Sequence, residues 1–434
     1  MSFEYASLRF SAQSTRGSPL PHTATLPDEH VAHQGHTFPG GKWLSVVTHL
    51  DPRYGGLSAV VPQLSAAVAS KGCISMSLAA FCAPGELYSP ANFADLTLTE
   101  WPAGRTAWLR DRSLLARFRH LCKATDGLHV HGLWEQSTLV AARSARARRV
   151  PYVISAHGML EPWALRNKRL KKLIYAALIE RVNLNGAGCL HALTHAEARE
   201  YRSFGCTAPI AVIPNGVRIP ERVSEEKFLA QHPSLKGKRV VLFLGRIHFK
   251  KGLDLLIRAW KRISLRWPDA HLVLAGPDCE GTRAKITAII EAEGIRESVL
   301  FTGMLRDDLK WSALAAAECF VLPSYSEGLS VSVLEAMGLG LPVIVSDHCN
   351  IPEVAELEAG WVVSADVPAV EHALEALLEN APQTNAAIGA RGQDFIRQHY
   401  NWSVVADQMS EVYTWLLGGT IPVSVDLLDA GGVR

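Results

Sequence analysis

The sequence predicts an α/β fold of two doubly wound, parallel-sheet domains facing a central cleft. Three observations carry this expectation. From Trp43 onward, short β-branched or apolar runs alternate with helical stretches of about 12–18 residues, the pattern of βαβ units. The pattern occurs twice, and Pro214-Asn215-Gly216 interrupts it with turn chemistry. Charge divides along the same line. The net +2 of the chain conceals a balance of +10 over residues 1–220 and −8 over the remainder, which suggests two domains meeting different partners.

In chain order, residues 1–41 are rich in Ser, Thr, Pro, Gly and His without a sustained period and read as a disordered leader. Residues 42–216 make the first domain. Its strands are expected at Trp43–His49, Ile74–Phe81, Gly127–His131, Pro151–Ala156, Cys189–Ala192 and Ala211–Ile213. Helices at Leu57–Lys71, Trp108–Lys123, Ser137–Arg148, Trp163–Val182 and His195–Phe204 fall between them. Residues 217–400 make the second domain. Here strands at Val240–Gly245, His271–Ala275, Val299–Thr302, Cys319–Leu322 and Pro342–Val345 alternate with helices at Leu253–Trp267, Thr282–Glu293, Asp307–Ala317 and Ser330–Leu339. Helices at Val367–Asn380, Pro382–Gln398 and Ser403–Leu416 follow, the last within a separate segment 401–417, and residues 418–434 form a tail with no persuasive signal.

A chain of 434 residues, 48% apolar and 20% charged, has material for more than one core, which excludes wholly disordered, collagen-like and disulfide-scaffold proteins. None of the eight cysteines forms a Cys-x-x-Cys pair, and most lie in apolar runs, as buried thiols of a reducing compartment do. No apolar stretch approaches the roughly 18 residues that would span a bilayer. No basic flank leads into an apolar export segment either, so a cytoplasmic protein is expected.

Four segments carry candidate chemistry. In Leu322-Pro323-Ser324-Tyr325-Ser326-Glu327-Gly328-Leu329-Ser330, a buried strand runs into a polar turn and then an apolar helix. The helix start offers unpaired N–H groups to a phosphate, and Gly328 lets the anion come close. Glu327 and Glu335 lie eight residues apart, so they reach two parts of one elongated ligand. In Gly245-Arg246-Ile247-His248-Phe249-Lys250-Lys251-Gly252, Arg246 and Lys251 project from the carboxyl edge of the second sheet, where ligands of such sheets bind. They could offset charge on a departing diphosphate, whereas Lys250 is expected to face water. The Gly55-Gly56 turn after the first strand supplies further backbone donors. His131 and His157, at two strand ends of the first domain, could hydrogen-bond a substrate hydroxyl or move a proton, while His129 alternates to the other side and reads as structural.

Other classes find little support. The chain has no G-x-x-x-x-G-K-[ST], no G-x-S-x-G and no metal-ligand spacing. Basic residues concentrate at Arg143–Arg149 and Arg166–Lys172, and the second cluster leads into the apolar Leu173–Leu178. Such a helix is able to lie on an anionic membrane surface, which leaves open a peripheral place on the inner face of the cytoplasmic membrane; a core helix with a solvated end is the alternative. Nucleic acid is not an expected partner, because aromatic residues do not interleave with these charges.

Taken together, these motifs resemble the family-4 retaining glycosyltransferases of the GT-B fold over about residues 42–417. The resemblance rests on the Glu327-to-Glu335 element, Gly245-Arg246 with Lys251-Gly252, the Pro214–Val217 junction and the Gly55-Gly56 loop. His157-Gly158-Met159-Leu160 and Glu161-Pro162-Trp163 look like members that build exopolysaccharide or O-antigen chains. The resemblance implies a nucleotide-diphosphate sugar donor held by the second domain and a glycan or lipid-linked acceptor held by the first. It places Arg246 and Lys251 on the diphosphate, Glu335 on the ribose and Glu327 on the transferred sugar. Gly328, Leu329 and Ser330 would supply backbone donors, with Gly56 approaching from the opposite domain. His131 would be the active-site histidine, His157 its neighbour, and Met304 would reach the base. The helix Ser403–Leu416 would cross back to the first domain. The implied reaction retains anomeric configuration without a protein nucleophile, a resident cofactor or a divalent metal. Leu329-Ser330 stands where many members have Phe-Gly. A sugar-nucleotide epimerase or hydrolase of the same architecture, and a noncatalytic sugar-nucleotide-binding subunit, are the alternative readings.

Overall fold

The computed structural model describes residues 40–50, 56–82, 97–102, 112–161, 179–429 and 432–433. Residues 1–39 of the expected leader, Gly55, the basic run Arg166–Lys172 and most of the expected helix Trp163–Val182 lie outside these residues. Two sheets organise the rest. The first contains β1 (Lys42–Val47), β2 (Ser75–Cys82), β3 (Thr97–Pro102), β4 (Gly127–His131), β5 (Tyr152–Ser155), β6 (Cys189–Ala192) and β7 (Ile210–Val212). The second contains β8 (Arg239–Leu244), β9 (Ala270–Ala275), β10 (Val299–Gly303), β11 (Cys319–Leu322), β12 (Val343–Ser346) and β13 (Gly360–Val363).

The strand orders are β3-β2-β1-β4-β5-β6-β7 and β10-β9-β8-β11-β12-β13, with every pair parallel. Each order reverses direction once, between β1 and β4 in the first sheet and between β8 and β11 in the second. At such a switch point the following loops diverge and leave a crevice at the carboxyl edge, where ligands of doubly wound sheets bind. The loops that carry Gly56, Arg246–Lys251 and Ser324–Ser330 therefore follow from strand order.

Packing fixes the registers. Both faces of the parallel sheets are covered, so β4, β5, β11 and β12 are buried at every residue. Trp43 pairs with Met76 and Gly127. A Cβ at Gly127 would lie 2.6 Å from the Trp43 indole, so only glycine fits beneath that ring. The ring stacks on Tyr413 at 4.0 Å. This contact seats helix Trp402–Leu416 on the first domain, where Val405, Met409 and Val412 join the core around Trp43 and Ile74. The chain crosses between domains twice, side by side: Val217 N–H donates to Tyr400 O at 2.7 Å, and Gly216 packs against the Trp402 ring.

Three parts of the two sheets were not anticipated: β13, the four-residue edge strand of the second sheet, and two parts of the first. β3 was missed because its alternation includes Thr, Glu and Pro. The tail, expected to carry no element, supplies β14 (Asp426–Asp429) and β15 (Gly432–Val433), which pair antiparallel with β7 and with each other. Strands this short hold too few side chains for a periodic signal.

Candidate active site

The second domain contributes two adjoining loops. The first leaves β8 at Gly245 and turns through a short 3-10 helix, Phe249–Lys251, into helix Leu253–Arg266. Gly252 closes it with φ +65°, and a Cβ there would fall 1.9 Å from Pro323 O. Glycine is therefore required for this loop to touch the end of β11. Ser324 Oγ and Tyr325 N–H both donate to Lys250 O, at 2.8 and 2.7 Å, and lock the two loops together.

That lock brings Lys251 Nζ to Glu327 Oε1 at 2.5 Å, an oxygen also 2.6 Å from Ser324 Oγ, whose single proton is shared between it and Lys250 O. The Glu327 backbone is held as well: its N–H donates to His348 O at 3.1 Å, and its O accepts from Asn350 Nδ2 at 2.5 Å. Beyond Glu327 the backbone turns free. No N–H from Gly328 to Ser332 has a partner among the described residues. Helix Val331–Gly338 has no acidic residue in its first turn, and the Ser330 side chain contacts Ser332 Oγ instead of capping it. Its positive end stays open, as an anion site requires.

Facing these loops across a cavity of about 360 Å³ are Gly56, Leu57, His157, Gly158 and Glu161 of the first domain. Arg246, Lys250, Lys251 and the segment Ser326–Ser332 line the opposite wall. Arg246 is exposed and enters no ion pair among the described residues, so its charge is available to a ligand. The domains meet at two glycines: a Cβ at Gly158 would lie 3.4 Å from the Gly328 Cα.

His157 adopts φ +53°, an uncommon conformation for a residue with a Cβ. Buried Glu197 holds the turn in this shape by accepting from the N–H groups of Gly158 and Leu193, each at 2.7 Å. Burial, reinforced by Glu161, pushes the Glu197 carboxyl up to about 7 despite these bonds.

His131 lies behind His157, not on the cavity wall, with Nδ1 3.1 Å from His157 Nε2. Its own Nε2 is buried without a partner among the described residues. His131 also packs against His129, ring centroids 4.0 Å apart and tilted by 31°. His129 belongs to a buried relay whose direction is set at one end. Ile213 O can only accept, so His191 Nε2–H donates to it at 2.7 Å. His191 Nδ1 then accepts from Ser155 Oγ at 2.6 Å, Ser155 accepts from His129 Nε2–H at 2.6 Å, and His129 Nδ1 accepts from Tyr413 OH at 2.6 Å.

Burial and mutual repulsion hold these imidazoles neutral. His129 and His131 fall well below the usual histidine range, His157 falls to about 3 and His191 to about 4. His157, the one of these rings that lines the cavity, therefore offers a neutral hydrogen-bonding group at pH 7.

A second cavity of about 650 Å³ shares Gly56, Val60 and Val331 with the first and continues the cleft along helix Val331–Gly338. Glu335 opens onto it, with Oε1 2.5 Å from Lys310 Nζ. Burial pushes the Glu335 carboxyl up, against the opposing pull of Lys310. Glu327 and Glu335 thus line two adjoining compartments of one groove.

Met304, 43% exposed on the segment after β10, lines neither cavity. Lys250 corrects an expectation: it does not face water but pairs with Glu161 across the cleft at 2.8 Å, its side chain 19% exposed. The partner is 89 residues away, which no local pattern reveals. Glu161, Glu197 and Lys310 were likewise not singled out as site residues. The only local trace was Thr194 three residues before Glu197, a helix-capping spacing.

Comparison with known proteins decides the family. Residues 55–216 match the family described as glycosyl transferase 4-like domain, and residues 224–395 match glycosyl transferases group 1. The chain belongs to the family-4 glycosyltransferases. It is 33% identical over 220 residues to the phosphatidyl-myo-inositol mannosyltransferase of Mycobacterium leprae, covering 50% of this chain and 56% of that protein. It is 27% identical over 286 residues to a GDP-mannose-dependent alpha-(1-6)-phosphatidylinositol monomannoside mannosyltransferase of Mycolicibacterium smegmatis, covering 62% and 71%. The chain thus spans a little over half the length of the first of these relatives. Among solved structures it resembles sucrose-phosphate synthase from Thermosynechococcus elongatus, with TM-score 0.71, 20% identity, and 87% and 100% of the two chains covered. It also resembles HepE of Anabaena in complex with UDP and glucose, with TM-score 0.69, 18% identity, and 86% and 100% covered. The shared fold is GT-B.

Proposed function

We propose that the protein transfers a sugar from a nucleoside-diphosphate sugar to a hydroxyl of a glycan or lipid-linked acceptor, with retention of anomeric configuration, in cell-surface polysaccharide or glycolipid assembly. One observation carries the reading: Arg246, Lys251 and the free N–H groups from Gly328 onward border one cavity. A diphosphate there meets an unpaired guanidinium, an ammonium shared with Glu327 and an open helix end. These groups are set before reaction, so they stabilise negative charge as it develops on the leaving diphosphate.

As the anomeric C–O bond breaks, its electron pair goes to the diphosphate oxygen and the sugar gains oxocarbenium character. The acceptor hydroxyl attacks the same face and loses its proton to the departing phosphate. Glu327, fixed by Lys251 and Ser324, orients the sugar; Glu335, in the next compartment, binds the ribose. His157, neutral at pH 7, serves as a hydrogen-bonding group and not as an acid. Retention is supported by family membership. The lipid-linked acceptor is supported by relatives whose names specify phosphatidylinositol and its mannosides. A peripheral membrane contact through Arg166–Lys172 belongs to the same proposal. No helix among the described residues is long and apolar enough to cross a membrane.

Arg246, Lys251 and the amides do the work that a divalent ion does elsewhere, so EDTA is expected to leave turnover within about twofold. The test is a thermal-shift and nucleotide-release screen of UDP-, GDP- and dTDP-sugars. Binding of at least one nucleotide sugar, followed by acceptor-dependent release of the nucleoside diphosphate, supports the proposal. No binding across the panel overturns it.

A further inference from the structure

At the seam between the domains, the Glu161 carboxylate is 5% exposed yet lines the donor cavity. Its two oxygens have different surroundings. Oε2 accepts from Lys250 Nζ at 2.8 Å and from Ser326 Oγ, both on the second domain. Oε1 makes no hydrogen bond among the described residues, and it is not sealed from solvent. It lies between the two glycines at which the domains touch. A Cβ at Gly158 would come within 2.9 Å of Oε1, and one at Gly328 within 3.9 Å. Two residues without side chains therefore leave this oxygen uncovered.

We infer that Glu161 is a substrate-binding residue supplied by the first domain, whose Oε1 accepts a hydrogen bond from a sugar hydroxyl in the cleft. This rests on the proposed glycosyl transfer and adds a named contact to it. The chemistry follows from the arrangement. A carboxylate with one oxygen held by an ammonium and a hydroxyl cannot rotate away, so the other is presented in a fixed direction. An ionised, oriented acceptor suits a neutral hydroxyl donor and repels a phosphate, which Arg246 and the open helix end attract instead. Because Oε2 binds the opposite domain, the acceptor group forms as the cleft takes this shape. Glu161 thus couples domain registration to sugar recognition.

The hydroxyl can belong to the donor sugar or to the acceptor, and the experiment separates them. Binding of UDP, GDP, UDP-glucose and GDP-mannose is measured calorimetrically for the wild type, Glu161→Gln and Lys250→Met. Wild-type affinity for the nucleotides reports on the proposed function, and differences between variants report on Glu161. Glu161→Gln keeps the size of the side chain and removes the charge; Lys250→Met opens the bridge and leaves the carboxylate.

If Oε1 holds a donor hydroxyl, Glu161→Gln reduces the affinity gained from the attached sugar by about tenfold or more, with nucleotide affinity unchanged. If it holds an acceptor hydroxyl, donor affinity and donor hydrolysis persist, and transfer to an octyl mannoside acceptor falls by a similar factor. In either case Lys250→Met has the smaller effect. Equal losses in the two variants would show a bridge between domains and nothing more, and unchanged binding and transfer in Glu161→Gln would remove the assignment altogether.

Discussion

The two walls of the cleft are built on opposite electrostatic principles. On the second-domain side the groups are charged and paired within hydrogen-bond reach: Lys251 with Glu327, Lys310 with Glu335, and Arg246 left available. On the first-domain side lie four neutral imidazoles, a buried carboxyl, Glu197, with no cationic partner in hydrogen-bond reach among the described residues, and Glu161, whose partner Lys250 comes from the other domain. The two walls suit different parts of a ligand. An anion needs fixed positive charge and open amides, whereas a hydroxyl needs directional acceptors and donors without net charge. Among the described residues the first-domain wall brings one carboxylate to the cavity, Glu161, and one of its oxygens is paired with Lys250 of the second domain.

The largest expected effect breaks this asymmetry from the charged side. Arg246→Ala is expected to lower kcat/KM by about a hundredfold or more, because it removes a preorganised charge facing the leaving group. Arg246 forms no ion pair among the described residues, so stability should change by no more than about 0.5 kcal/mol. His157→Gln, on the neutral side, should cost only about tenfold, the scale of one hydrogen bond. Steady-state kinetics with calorimetric melting checks both, and a greater loss at His157 than at Arg246 would invert the comparison.

The charged wall was largely legible in the sequence and the neutral one only in part. Arg246, Lys251, Glu327 and Gly328–Ser330 sit in two contiguous loops at strand ends, so strand order alone brings them together. The first-domain wall depends on contacts remote in sequence. Glu161 meets Lys250 across 89 residues, and Tyr413 meets His129 across 284. The relative positions of His131 and His157 turn on a left-handed backbone at His157, which no glycine or asparagine announces. Met304 follows a strand end correctly, but strand-end position does not fix which way a side chain on an irregular segment points.

Acid sharpens the contrast. The first-domain histidines have folded pKa values below their unfolded 6.5, so the unfolded chain takes up more protons as pH falls, and the stability they contribute above 6.5 is lost toward about 4 at His191 and about 3 at His157. Glu180, Glu197 and Glu200 oppose this. Raised to about 7 from 4.5, they contribute stability present below 4.5 and lost as pH rises through 7. Between 6.5 and 4.5 the two sets offset one another, and below 4.5 only the histidine penalty still grows. Hydrogen exchange should therefore show β4–β6 protected at pH 5 and opening well before β8 and β11 near pH 4. Uniform loss in both sheets would remove the distinction.

The smallest effect tests the direction of the relay. Tyr413→Phe keeps the ring stacked on Trp43 and removes only the hydroxyl that donates to His129 Nδ1. Because Ile213 O fixes every proton along the chain, the variant leaves Nδ1 as a buried acceptor without a donor. The expected cost is about 1–3 kcal/mol, read from chemical denaturation. The indole–ring contact survives, so the crossing helix should stay seated and kcat should change little. Loss of activity equal to the loss of stability would mean that the relay reaches through His131 to the cavity, and the neutral wall would then be one hydrogen-bonded unit from the crossing helix to the substrate.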